Sequence, residues 1–194
     1  MHATTQERAA TTATRGAHDL SDDGAVRPAI RDDEFAHAFR QHPGGVAVIT
    51  ADSATGPVAI TVTSVISVSA APPLLAFSIG HGTSTAPTIL SANSYVVHFL
   101  GSDQLGLAKL CATSGIDRFA DTRLWARLPT GEPYFPSAPA WVVGSRIDQL
   151  DAGEASLILL RATESHVSPD ANGVPALVYH DRAWHHLGQH SRVN

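Results

Sequence analysis

The sequence has one cysteine, one methionine and, among its 13 basic residues, a single lysine, Lys109. The lone cysteine, Cys111, excludes an intramolecular disulfide framework and a cysteine-rich zinc module. Charged residues make up only 16% of the 194, no run of Lys or Arg occurs, and the formal charge is −5. A nucleic-acid-binding surface normally carries a basic stripe, so that class is disfavoured. No apolar stretch is long or continuous enough to cross a bilayer. The first twenty residues lack the apolar core of a secretory signal, so a cytoplasmic protein with no membrane partner is expected. What is present is a hydrophobic share of 43% amid much Ser, Thr, Ala and Gly, the composition of a compact globule. A chain of this length can bury about 70% of its unfolded surface and needs no staples to fold.

Residues 1–33 hold almost no large apolar side chain. Burial there cannot offset the ordering entropy, which predicts a mobile N-terminal arm, a folded domain over 34–188 and a frayed tail over 189–194. Asp32-Asp33-Glu34 places negative charge in the first turn of a helix running through Phe35 and Phe39. Short strands then take over. Val46 to Thr50 is an apolar run, and Asp52 to Pro57 is turn chemistry at a hairpin tip. The returning strand, Val58 to Ser69, puts Ile60, Val62, Ile66 and Val68 on one face and Thr61, Thr63, Ser67 and Ser69 on the other. The alternation swaps at Ser64-Val65, which predicts a bulge or kink, or else a tolerated small serine bonded to its own backbone. Pro72-Pro73 ends that ladder, and Leu74 to Ile79 forms the next strand. Further strands are expected over Tyr95–Leu100, Ala140–Leu150, Ala155–Val167, Ala176–His180 and Ala183–Leu187. Thr83-Ser84-Thr85 opens a short helix through Ile89-Leu90, Ser102-Asp103 opens another through Leu110, and Asp121 to Pro139 is a long loop. The spacing predicts a mainly β fold with short α insertions, a mostly antiparallel barrel.

Four constellations bear on chemistry. The hydroxyl run of Thr61, Thr63, Ser64, Ser67 and Ser69, followed by Thr83, Ser84 and Thr85 at a helix start, could hold a planar, phosphorylated cofactor. The same residues are also ordinary strand and cap formers. Gly80-His81-Gly82 opens like a dinucleotide fingerprint, but Thr85 stands where Gly or Ala is required, and the elements do not alternate strand and helix; a Rossmann fold is rejected. His180, His185, His186 and His190 cluster beside Asp181, yet without an HExxH pattern or a cysteine they are better explained as solvated, and no metal site is assigned. His98 interrupts an apolar strand and is expected to be a hydrogen-bonded structural residue. No G-x-S-x-G elbow supports a serine hydrolase, and Cys111 suits packing better than nucleophilic attack.

Taken in order, these residues resemble the short-chain flavin reductase family, the reductase partners of two-component flavin monooxygenases. The carriers are Phe39 with Gly45-Val46-Ala47-Val48-Ile49-Thr50; the run from Thr61 through Ser64, Ser67 and Ser69 to Pro72-Pro73-Leu74; Thr83-Ser84-Thr85 with Ile89; Asp117-Arg118-Phe119; and Val178-Tyr179-His180 with Trp184. The match extends from about Phe35 to Leu187. The resemblance implies an FMN-binding split β-barrel, a homodimer with flavin sites near its interface, and hydride transfer from NADH or NADPH to FMN or FAD. Reduced flavin would pass to a partner monooxygenase. By position, Thr63, Ser64, Val65, Ile66, Ser67 and Ser69 would border the isoalloxazine and ribityl chain. Thr83, Ser84 and Thr85 would hold the phosphate, Phe119 would pack near the flavin, and Tyr179-His180 would lie toward the nicotinamide. Three departures stand out. The family's Gly-Asp-His is Gly153-Glu154-Ala155, its following Gly-(Arg/Glu)-Val is Leu160-Arg161-Ala162, and a strand Asn is His98. With the imidazole absent at Ala155, either His81 or His180 substitutes for it, or the protein binds flavin without reductase turnover, as a carrier or an oxidase of another substrate. A ligand-free interaction barrel is the remaining alternative.

Overall fold

The structure, a computed structural model, describes residues 29–54 and 56–193. The arm expected over 1–33 therefore lies almost wholly outside the described residues. The first element, α1 (Asp32–Arg40), starts on the acidic triplet, where carboxylates face the positive end of the helix dipole. The strands follow as β1 (Gly44–Gly45), β2 (Ala47–Ser53), β3 (Gly56–Val62), β4 (Ile66–Ser69) and β5 (Leu74–Gly80). After α2 (Ala86–Ser91) come β6 (Ser94–Phe99) and α3 (Leu105–Ala112). The expected loop over 121–139 contains a small ribbon of β7 (Ala126–Arg127) and β8 (Pro133–Tyr134). Two 13-residue strands, β9 (Ala140–Ala152) and β10 (Ala155–Val167), precede the hairpin of β11 (Leu177–His180) and β12 (Ala183–His186).

One antiparallel sheet dominates, in the order β3-β2-β6-β9-β10-β5-β4. Its two edges, β3 and β4, are consecutive in sequence, joined by only Thr63, Ser64 and Val65. Seven flat strands would hold those edges about 29 Å apart. The chain from Val62 to Ile66 can span at most about 14 Å. The sheet must therefore curl until its edges nearly meet, making a barrel with a seam along one side. The single strand expected over 58–69 is thus two strands on opposite sides of that seam. The alternation swap at Ser64-Val65 marks the crossing, where a residue that continued the ladder would face the wrong way.

Alternation along the strands sorts the core. Ala47, Ile49, Phe77, Ile79, Tyr95, Val97, Ile158 and Leu160 fill the barrel, which Ala86 and Ile89 of α2 close. On the opposite face, Val48 of β2 and Val46 just before the strand pack with Ala108 and Cys111 of α3, Phe119, Phe135 and Leu177. The run from Val46 to Ile49 is apolar throughout because it is buried on both sides, and the buried Thr50 that follows donates its hydroxyl to the Pro133 carbonyl. His98, fully buried on β6, has Nδ1 3.0 Å from the Val48 carbonyl, while the Phe135 N–H donates to Nε2 at 3.0 Å. Since Nε2 accepts, Nδ1 carries the proton and donates to Val48, which makes the imidazole neutral. Burial pushes its pKa down to about 4. It is the structural histidine that its position in an apolar strand suggests.

Candidate functional site

A cavity of about 400 Å³ opens at the seam. Residues 60–64 form one wall, Ser78 to Gly80 at the end of β5 a second, and Ala112 on the last turn of α3 a third. Tyr179 and Trp184 of the β11–β12 hairpin close it, with ring centroids 4.9 Å apart at 63°. This hairpin reaches the seam because β11 pairs with β1, setting Gly44 opposite Tyr179. A Cβ on Gly44 would lie 2.7 Å from the Thr63 Cβ, so only glycine lets the small sheet approach the crossing so closely. The result is an apolar slot with few polar groups, the kind of site that takes a planar ligand.

The hydroxyls are not all free to meet one. Ser64 Oγ donates to the Ser78 carbonyl at 3.0 Å and accepts from the Ser78 N–H at 3.1 Å. It pins the seam to β5 as a ladder pair would, so this serine bonds the backbone of another strand and not its own. Thr61 Oγ1 donates to the Ala108 carbonyl at 2.7 Å, tying β3 to α3. Of the expected flavin contacts, Thr63, Ser64 and Tyr179 line this slot. Val65, Ile66, Ser67 and Ser69 lie across the seam and line a separate apolar groove that also includes Phe99. Thr83, Ser84 and Thr85 follow the slot's rim at Gly80. The Thr83 hydroxyl turns back to the Gly80 carbonyl at 3.1 Å, and Thr85 is buried. Phe119 packs in the outer core, stacked on Phe135 and edge-on to Trp125, so it lines neither opening. His180 lines an adjoining cavity that shares Thr63 and Tyr179 with the slot. Ser78 and Ala112 were not among the expected contacts. Ser78's one signal is a lone polar residue in the apolar run Leu74–Ile79, and Ala112 carries none.

At the rim, Gly80 pairs with Ala155, and the His81 N–H donates to the Glu154 carbonyl at 2.9 Å. The His81 imidazole therefore comes from the strand adjacent to the position where the family pattern has its own. His81 Nε2 lies 2.8 Å from Ser156 Oγ, and Ser156 Oγ donates to Asp151 Oδ1 at 2.6 Å. The Ser156 hydrogen bond holds the Asp151 carboxyl below its ordinary range, so it is ionised and only accepts. Ser156's single proton is taken up by Asp151, so its oxygen must accept from His81 Nε2–H. His81 is fixed with Nε2 protonated and Nδ1 outside the chain. No three His, Cys, Asp or Glu side chains among the described residues are grouped to hold a metal ion. Cys111 is buried, and its thiol is pushed up to about 12, which suits packing and not nucleophilic attack.

Comparison with known proteins gives this arrangement a family. Residues 39–188 match the family model described as flavin reductase like domain. The chain is 41% identical over 161 residues to an NADH:FMN oxidoreductase of Rhodococcus qingshengii, covering 80% of this chain and 83% of that one. It superposes on a flavin reductase domain protein from Arthrobacter sp. FB24 with a TM-score of 0.76 and 29% identity, covering 81% and 96% of the two chains. BorF, the flavin reductase component of a bacterial two-component tryptophan halogenase, gives a TM-score of 0.72 and 27% identity, with 82% and 99% covered. The mainly β fold is that of a flavin reductase like domain, and the chain belongs to that family.

Proposed function

We propose that the protein is an NAD(P)H-dependent flavin reductase that binds FMN in the seam slot and supplies reduced flavin to a separate monooxygenase. The observation that carries this is the slot itself, apolar, walled by an aromatic pair, and set within a domain of this family. FMN rather than FAD, and NADH rather than NADPH, are favoured by the relative that shares most identity among those described. A flavin bound there supplies the electron-accepting ring; the chain's own residues orient it and keep water out. Tyr179 and Trp184 cover one end, the backbone at Ser78 to Gly80 borders an edge, and Thr63 offers a hydroxyl at the seam. Thr83 to Thr85 continue from the rim toward a phosphate, and Val65 to Ser69 approach from the neighbouring groove. His81, bonded to Ser156 beside the Gly80–Ala155 pair, is the candidate imidazole at the rim.

A second copy of the chain would cover the exposed side of β4, where Ile66 and Val68 are exposed and Ile66 shares a groove with Phe99. Homodimer formation would place Val65 to Ser69 at both the interface and the site. Replacing Ala112 by Leu tests the slot, because it adds bulk to a wall and disturbs no hydrogen bond. FMN affinity, followed by quenching of flavin fluorescence, should fall at least roughly tenfold while the melting temperature holds. Unchanged affinity would remove the slot from consideration. A second reading, flavin binding without turnover, is favoured by Ala155 in place of the usual imidazole. Anaerobic bleaching of the bound flavin by NADH would exclude it.

A further inference from the structure

A second cavity, about 330 Å³, adjoins the slot and shares Thr63 and Tyr179 with it. Its chemistry is different. Arg40 and His42, at and just beyond the end of α1, face His180 and Arg182 of the β11–β12 hairpin, with Asp181 as the one carboxylate. Neither Arg40 nor Arg182 makes an ion pair or side-chain hydrogen bond among the described residues. In a chain whose formal charge is −5, two unpaired guanidiniums in one cavity form a local positive site, with two imidazoles beside them as hydrogen-bonding groups. The backbone fixes their spacing, because the Asp181 N–H donates to the Arg40 carbonyl at 3.2 Å and ties the helix end to the hairpin tip. The tip itself is unusual. Asp181 and Arg182 have φ of 44° and 62°, a two-residue turn in which the second position ordinarily takes glycine. An arginine stands there despite the strain.

We infer that this cavity is a diphosphate subsite, which holds the phosphates of a dinucleotide whose redox ring lies in the adjoining slot. The inference rests on the flavin reductase reading for the ring. The phosphate chemistry is shared by two sources, the nicotinamide dinucleotide that donates the hydride and a flavin dinucleotide. Guanidiniums suit either, since their planar forks bind phosphate oxygens in pairs. Asp181 opposes an anion, but its N–H is turned to Arg40 and its charge is outnumbered.

The test uses ADP-ribose, which carries adenylate and diphosphate but neither redox ring, titrated calorimetrically into the full chain. Wild type should bind saturably and lose affinity as salt rises. Arg182→Gly and Arg40→Ala should each weaken binding at least roughly tenfold. Arg182→Gly also relieves the left-handed backbone, so its melting temperature should hold or rise, which separates lost binding from lost fold. The source follows from two further comparisons. If the donor's phosphates bind here, both variants lower kcat/KM for NADH but not for 1-benzyl-1,4-dihydronicotinamide, which has no phosphate. If the flavin's bind here, affinity for FAD and for FMN both fall, because the FMN phosphate is the flavin-side phosphate of FAD. No binding of ADP-ribose to wild type, or wild-type affinity in both variants, overturns the subsite. Saturable FMN binding alongside either result leaves the flavin reading standing, whereas ADP-ribose binding without any FMN binding sinks that reading and keeps the diphosphate site.

Discussion

Acidification from pH 7 to 4 should destabilise this protein mainly through His98. In the fold the imidazole is neutral, enclosed, and bonded to Val48 and Phe135; in the unfolded chain it regains its ordinary value. Its folded pKa is depressed, so its contribution is intact above the unfolded value of 6.5 and is lost as the pH falls toward about 4. Below 6.5 the unfolded chain binds a proton that the fold refuses, at about 1.4 kcal/mol per pH unit. The interval between 6.5 and about 4 gives a total of about 3 kcal/mol. That is a large fraction of the ~5–15 kcal/mol that holds a typical domain together. Carboxylates act in a different window. Asp121 is held down to about 2 by the Arg123 hydrogen bond, so its effect appears only below the ordinary Asp value. Urea melts at several pH values between 7 and 4.5, on wild type and His98→Asn, would measure the slope. Asn removes the titrating group but leaves the Phe135 N–H without its acceptor, at a pH-independent cost of about 1–3 kcal/mol. Wild-type stability that stays flat between pH 6.5 and 4.5, or an equal slope in His98→Asn, would refute this account of His98.

His81→Ala should slow anaerobic bleaching of bound FMN by NADH about 100-fold in stopped-flow experiments, with a smaller loss for His180→Ala. Rates equal to wild type in both would remove either imidazole from the chemistry. Cys111, buried with its thiol pushed up to about 12, should resist iodoacetamide at pH 8 in the native protein and react fully in concentrated guanidinium. Rapid native labelling would show that the α3 packing opens.

Much of the fold was legible because its strongest signals are local. The run Val46 to Thr50 announces a strand, and the break in alternation at Ser64-Val65 announces the crossing. What alternation cannot give is the partner across a gap. Thr61 and Ser64 look like free hydroxyls in sequence, yet each faces a backbone group of a distant element, Ala108 or Ser78. The slot's walls come from five separate stretches, so Ala112 and Ser78 had no local pattern to reveal them. Phe119 sits in a short motif that matches the family, but an aromatic ring against Phe135 and Trp125 and one against a ligand have the same sequence signature. His81, Ser156 and Asp151 meet because β10 pairs in register with β5 on one side and with β9 on the other, which a single sequence does not fix.

The two strands flanking the crossing, β3 and β4, share no ladder of their own, so the barrel wall is a hoop with a slit. A flat molecule lodged beside that slit would serve as a splint, touching both rims where the backbone cannot zip. Heat resistance would then track ligand supply, rising by about 2.7 kcal/mol when the free ligand reaches a hundred times its dissociation constant. Whenever the ligand departs, the hoop would loosen first along that same line.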